Sequence, residues 1–217
     1  MDGNARWAKK KRISRKEGYK KGIDKIKELS EICLDNKIKF LTVFALSSEN
    51  IKRSNVNIIF DIISNHLDSF LEYVIKTNKI RIRIFGNKNQ LSEKINKIIN
   101  KIEITTKENN ELFLNVALNY GSIDELIYCF NNLINNKNKR IININEKIIR
   151  NNFYLQNVPD PDLLIRTGGF QRLSNFLLFQ LSYTELFFTK TLWPDITKRE
   201  IINIFNKFKL VERKYGL

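Results

Sequence analysis

Short apolar runs punctuate this chain, and each stops abruptly at a polar loop. Phe40–Ala45 runs into Ser47-Ser48-Glu49-Asn50, Ile80–Phe85 into Gly86, Leu112–Leu118 into Asn119-Tyr120-Gly121, and Leu163–Arg166 into Thr167-Gly168-Gly169. Runs this short, rich in β-branched and aromatic residues and closed by turn formers, read as strands. Phe40–Ala45 is almost wholly apolar, which predicts a buried strand. Glu185–Thr189 extends the series. Between the runs, apolar residues recur at three and four. Tyr19, Ile23, Ile26, Ser30 and Cys33 mark one face of a helix over Gly18–Asn36, and Val56, Ile59, Phe60, Ile63, Leu67, Phe70, Leu71 and Val74 mark a long helix from Asn55 to about Asn78. Ser92 caps a helix reaching Asn109, Ser122 or Asp124 opens one to about Asn136, and a short helix follows Asn145. Phe176–Tyr183 is apolar and helical in length, and Lys198–Tyr215 is amphipathic with Ile201, Phe205, Phe208 and Val211 on one side.

Strand and helix alternate without repeats or a linker. That predicts an α/β fold, a mostly parallel central sheet flanked by helices, in one domain over residues 1–217. Such sheets bind ligands beyond the carboxyl ends of their strands, where the polar loops fall here. With 42% hydrophobic residues the chain has enough for a sizeable core. No apolar run approaches the roughly 20 residues that span a bilayer, and no charged-then-apolar leader is present, so a cytoplasmic protein is expected. Cys33 and Cys129 are far apart and His66 is the only histidine, which argues against a disulfide scaffold or a zinc site. The net charge of +15 raises nucleic-acid binding. The lysines are scattered, however, in a sequence crowded with residues of A/T-rich codons, so a solvated basic surface is expected and no nucleic-acid partner.

The loops carry a consistent chemistry. Met1–Trp7 sets a carboxylate, Asp2, beside the turn formers Gly3 and Asn4, then Arg6 and Trp7; taken alone, it reads first as an exposed basic terminus. Arg15, Arg53, Arg166 and Arg172 add guanidinium forks, and Ser47, Ser48, Thr167 and Ser174 add hydroxyls, a set suited to more than one phosphate group. The carboxylates Asp2 and Glu185, with phosphate oxygens, suit magnesium. Neither GxxxxGK[ST] nor a strand followed by GxGxxG occurs, so a nucleotide loop is not indicated.

In order, Asp2-Gly3-Asn4-Ala5-Arg6-Trp7-Ala8, Ser47-Ser48-Glu49-Asn50, Asn119-Tyr120-Gly121, Pro159-Asp160-Pro161-Asp162-Leu163-Leu164-Ile165-Arg166-Thr167, Arg172-Leu173-Ser174-Asn175-Phe176 and Trp193-Pro194-Asp195 closely resemble the cis-prenyltransferases, the bacterial undecaprenyl diphosphate synthase family, over Met1 to Gly216. The resemblance implies a hydrophobic tunnel and an enzyme that condenses isopentenyl diphosphate repeatedly onto an allylic diphosphate such as farnesyl diphosphate, making a long-chain cis-polyprenyl diphosphate. It implies Asp2 as the catalytic aspartate, magnesium held by Asp2 and Glu185, and Asn50 linked to proton removal. It assigns substrate contacts to Gly3, Asn4, Ala5, Arg6, Trp7, Arg15 and Tyr19 on the allylic side. Ser47, Ser48, Glu49, Ile51 and Arg53 follow around the first polar loop, and Arg166, Arg172, Leu173 and Ser174 hold isopentenyl diphosphate. It also implies a homodimer, and peripheral membrane contact through the lipid product. The apolar stripe after Asn55 is then tunnel lining as well as ordinary core.

Several positions depart from the family pattern. Tyr19 stands for a histidine, Ile51 for an aromatic, Ser54 for a proline, Ile123 for an arginine and Phe170 for an acidic residue. The family's first strand has no counterpart here, from which a start upstream of Met1 is expected. Arg213-Lys214-Tyr215-Gly216 is either a tail reaching a second subunit or a frayed basic end. Two other readings compete: a non-catalytic accessory subunit of the same fold, and a basic RNA-binding domain with salt-sensitive affinity. The all-helical trans-prenyltransferases use DDxxD clusters, and none occurs.

Overall fold

The computed structural model describes residues 1–51, 70–135 and 143–214. Asn4–Lys11 forms α1 and Arg15–Asp35 forms α2, which leads into β1 (Phe40–Ser47) and the single turn α3 (Ser48–Ile51). Residues 70–77 are helical (α4), followed by β2 (Ile80–Phe85), α5 (Glu93–Thr105), β3 (Leu112–Tyr120) and α6 (Ser122–Asn135). After α7 (Glu146–Arg150) come β4 (Leu163–Arg166), β5 (Glu185–Phe188) and α8 (Lys198–Lys209).

The helix starts follow from their caps. The Ser14 side chain accepts from the Glu17 N–H while Glu17 reaches back to Ser14, a full capping box. The side chains of Ser92, Asn145 and Thr197 cap α5, α7 and α8 by accepting from the N–H groups of Ile95, Ile148 and Glu200. α1 was not foreseen: its basic sequence has little apolar periodicity, and the helix is held by its contacts with α2 instead.

Every described ladder is parallel, as expected. β1, β3 and β2 form one sheet with β3 in the middle, and β4 pairs with β5 in a second. β2 reaches its neighbour β3 through the crossover helix α5, the kind of connection a parallel pair needs. β1 is less enclosed than its composition predicts. Only Val43 and Leu46 are buried and Ala45 is exposed, because β1 is the outer strand of its sheet and borders a cleft. β3 is enclosed by both neighbours, and Leu112, Leu114, Ala117, Leu118 and Tyr120 are all buried.

Three sequence expectations change. Phe176–Tyr183 forms turns rather than a helix, since Ser174, Asn175 and Leu177 all take positive φ and cannot open one. α5 stops at Thr105 and α8 at Lys209, each earlier than the apolar pattern suggests. Most of the long helix after Asn55 lies outside the described residues, and within 70–77 Phe70, Leu71 and Val74 are buried as expected. Both cysteines are free and buried, and burial pushes the Cys33 thiol up to about 12.

Candidate active site

The backbone of Asp2 is clasped to the end of β4. Its N–H donates to Thr167 Oγ1 at 2.9 Å, and the Thr167 hydroxyl donates to the Asp2 carbonyl at 3.0 Å. Trp193 N–H donates to the same carbonyl at 3.0 Å. Gly3 then turns into α1 at φ 115, where an added Cβ would lie 2.8 Å from Leu192 Cδ2, so glycine is needed for both reasons. Against the other side of α1, Gly18 and Gly22 of α2 let the helices touch. A Cβ at Gly18 would sit 2.7 Å from the Asn4 carbonyl, and one at Gly22 would run into Asn4 Oδ1. That Oδ1 is buried with no hydrogen-bond partner among the described residues.

With its backbone fixed, Asp2 presents its carboxylate to two arginines. Oδ1 lies 3.2 Å from Arg6 Nη2, and Oδ2 lies 3.4 Å from Arg166 Nη2. Arg6 also donates to the Gly168 carbonyl at 2.7 Å. Gly168, at φ +87, has room for no Cβ beside the Arg6 guanidinium. Arg166 donates to Ser174 Oγ at 2.9 Å and to the Arg172 carbonyl, and Arg172 Nε donates to Ser174 Oγ at 3.2 Å. Arg6 and Arg166 therefore meet at one small carboxylate, with Arg172 joined to Arg166 through Ser174. Such an excess of fixed positive charge is an anion site.

A second wall comes from the end of β1. Ser47 Oγ accepts from the Asn50 N–H at 3.3 Å. The Ser48 hydroxyl donates to Asp124 Oδ2 at 2.5 Å, and Asn175 Nδ2 donates to Glu49 Oε1 at 2.8 Å. Asn175 also accepts from the Ile123 N–H, tying this loop to the start of α6. Gly121 lies beneath, where a Cβ would be 2.7 Å from Asn175 Nδ2 and 2.8 Å from Ser48 Oγ.

Together these walls enclose a cleft of about 1240 Å³. Its mouth is polar, lined by Asp2, Gly3, Asn4, Ala5, Arg6, Arg15, Tyr19, Ser47, Glu49, Asn50, Arg166, Arg172, Leu173 and Ser174. Farther in, Leu29, Leu41, Val43, Ile165 and Phe205 make it apolar. A charged mouth on an apolar trunk suits a ligand with a phosphate head and a hydrocarbon body.

Not every expected residue is there. Trp7 turns away from the mouth, and its indole donates to Asp195 Oδ1 at 2.6 Å. Ser48 is committed to Asp124, and Ile51 packs on the main core. Arg53 lies outside the described residues. Glu185 is separated from Asp2: it pairs with Leu163 at the start of the β4–β5 ladder, whereas Asp2 is clasped beyond its end at Thr167. At about 3.3 Å per residue, roughly 13 Å of strand lies between the two levels, too far for both carboxylates to hold one ion within this chain. No group of three His, Cys, Asp or Glu among the described residues can hold a metal. Asp2 alone still fits magnesium, which takes one or two carboxylates and draws its remaining ligands from phosphate oxygens and water.

Gly18, Gly22, Asp124 and Asn175 hold the site and were not singled out as site residues, and Thr167, read as a phosphate hydroxyl, grips the Asp2 backbone. Thr167 had a visible signal, since it directly follows the arginine that ends β4. Gly18 and Gly22 had a weaker one, a glycine pair spaced by four on a single helical face.

The chain matches, over residues 1–216, the family model described as "Putative undecaprenyl diphosphate synthase". The chain belongs to this prenyltransferase family. It is similar to the isoprenyl transferase of Thermotoga maritima, 38% identical over 100% of this chain and 94% of the relative. It is similar also to that of Fusobacterium nucleatum, 39% identical over 100% and 93%. Among solved structures, lavandulyl diphosphate synthase from Lavandula x intermedia, in complex with dimethylallyl diphosphate, superimposes with a TM-score of 0.93 at 28% identity, covering 100% of this chain and 95% of that one. A probable undecaprenyl diphosphate synthase from Campylobacter jejuni gives 0.82 at 37% identity, covering 91% and 92%. The parallel sheet flanked by helices is thus the fold of the family, and the chain is a prenyltransferase. None of its described helices is long and apolar enough to cross a membrane.

Proposed function

We propose that the chain is a single catalytic domain that condenses isopentenyl diphosphate repeatedly onto an allylic diphosphate, with farnesyl diphosphate the starter and undecaprenyl diphosphate the product. The observation that carries this reading is the meeting of Asp2, Arg6, Arg166, Arg172 and Ser174 at one mouth that opens onto apolar walls.

In each cycle the allylic carbon–oxygen bond breaks and diphosphate leaves. The allylic carbon bonds to the terminal methylene carbon of isopentenyl diphosphate, and that unit loses a proton. Negative charge grows on the leaving diphosphate, so donors fixed in advance stabilise the transition state more than the ground state. Arg6, Arg15 and the N–H groups that open α1 hold the allylic diphosphate, with Gly3, Asn4 and Ala5 giving it close approach. Arg166, Arg172, Leu173 and Ser174 hold isopentenyl diphosphate. Asp2 is the residue of this mouth that would carry magnesium, whose contribution is to neutralise charge on the diphosphate. Asn50, an amide and so a poor base, orients the departing proton toward solvent or phosphate. The hydrocarbon tail follows the apolar walls inward.

A homodimer fits this reading. Ile123, Ile127, Phe130 and Ile134 leave an exposed apolar face on α6, which supports a second copy as its partner. The enzyme would work in the cytoplasm and touch the membrane through its lipid product.

The test is incubation with farnesyl diphosphate, labelled isopentenyl diphosphate and magnesium, followed by sizing of the lipid. A long polyprenyl ladder is expected. Products of a single addition, or turnover with dimethylallyl diphosphate alone, would overturn the repeated condensation.

A further inference from the structure

Two of the arginines at the mouth share a feature that their hydrogen bonds do not explain. The guanidinium carbon of Arg6 lies over the ring of Phe170, 4.9 Å from its centroid, and that of Arg172 lies over the same ring at 4.3 Å. Phe170 follows Gly168 and Gly169, both at positive φ. Their N–H groups donate to the carbonyls of Thr191 and Thr189, each at 2.8 Å. The loop is thereby pinned to the segment that follows β5, and Phe170 lines the cleft, 42% exposed. A phenyl group left in water at a polar mouth needs a reason, and packing does not supply one.

The chemistry of the contact does. An aromatic face attracts a cation through its quadrupole, and a guanidinium stacked on it uses its flat face. The N–H donors of the guanidinium lie in its plane, so a ring against its face leaves them available to oxygen acceptors. A carboxylate in the same place would hold the arginines equally well but would consume those donors and cancel their charge. Arg172 makes no salt bridge among the described residues, and Arg6 makes one, to Asp2. The ring therefore orders two like charges without neutralising either.

We infer that Phe170 is a positioning residue that clamps Arg6 and Arg172 in register across the boundary between the two diphosphate subsites. It couples the allylic side to the isopentenyl side, so that each arginine is pre-set for its phosphate while the other is in place. This inference rests on the assignment of those two arginines to separate diphosphates.

The experiment compares the wild type with Phe170→Tyr, which keeps the aromatic face, and Phe170→Leu, which keeps apolar bulk without it. Steady-state KM is measured for each diphosphate separately, together with kcat. Inorganic pyrophosphate binding is measured by calorimetry without turnover. Phe170→Leu is expected to raise KM for both diphosphates and weaken pyrophosphate by roughly three- to tenfold, the scale of lost cation–π contacts, while kcat changes less than about twofold. Phe170→Tyr is expected to restore both. Equal loss in the Leu and Tyr variants, or a KM effect on one substrate alone, overturns the clamp. If the wild type turns over no isoprenoid, the proposed reaction fails, and pyrophosphate affinity across the three proteins still decides the clamp.

Discussion

The carboxylate of Asp2 is held by its backbone more than by its side chain. Thr167 grips both the N–H and the carbonyl of Asp2, so the carboxylate has few places to go. Thr167→Val keeps shape and removes both bonds. It is expected to lower kcat by about tenfold with KM little changed, because only a precisely placed charge distinguishes transition state from ground state. Asp2→Ala should cost at least about a hundredfold in kcat, in line with losing a charge-stabilising group. Turnover within a few-fold of wild type in single-turnover assays would remove Asp2 from the chemistry. The residues legible in the sequence were those whose chemistry is unusual in a loop: Asp2, Arg6, Arg166, Arg172 and Ser174 all line the mouth. Trp7 was misread because an aromatic beside an arginine gives no clue to the helical turn beneath it. As the fourth residue of α1, Trp7 turns toward Asp195. The place of Glu185 was not legible because a match of motifs carries no distance, and the ladder register sets it four positions from Thr167 within its own chain.

At the level of elements, the strands were legible nearly to the residue. Ile80–Phe85 and Leu163–Arg166 have the bounds that alternation and turn formers set. Phe176–Tyr183 failed because apolar content fixes burial and not conformation. Asn175 spends its side chain on Glu49 and Ile123, and the chain bends to permit it. The contact between α1 and α2 was also hidden, since a glycine in a helix gives no sign of what approaches it. Gly22 now has a specific role: its carbonyl accepts from the Trp193 indole at 2.9 Å, and its missing side chain makes room for Asn4. Gly22→Ala gains helix propensity but drives a methyl into Asn4. A net loss of about 1–3 kcal/mol is expected in urea denaturation, with the allylic KM raised because Asn4 opens the phosphate-binding turn. A more stable variant would show that the helices separate without cost.

For the molecule as a whole, burial of weak acids sets an alkaline limit. Cys33 would lose its proton near 9.0 once unfolded but holds it to about 12 when folded. Between those values the unfolded chain binds fewer protons, so stability is full below pH 9 and falls as pH rises. Burial beside Glu125 raises Tyr120 and Tyr154 as well, which adds to the loss above pH 10. Urea midpoints should therefore decline steadily from pH 8.5 to 10.5, and Cys33→Ala, weaker at every pH, should decline less steeply over pH 9–10. The cleft itself has a consequence at this scale. Arg15 belongs to a helix packed with one sheet, while Arg166 ends the first strand of the other and Arg172 follows it. A molecule gripped from both banks works as a rivet as well as a reactant, so filling the mouth and fastening the two halves of the fold are one event.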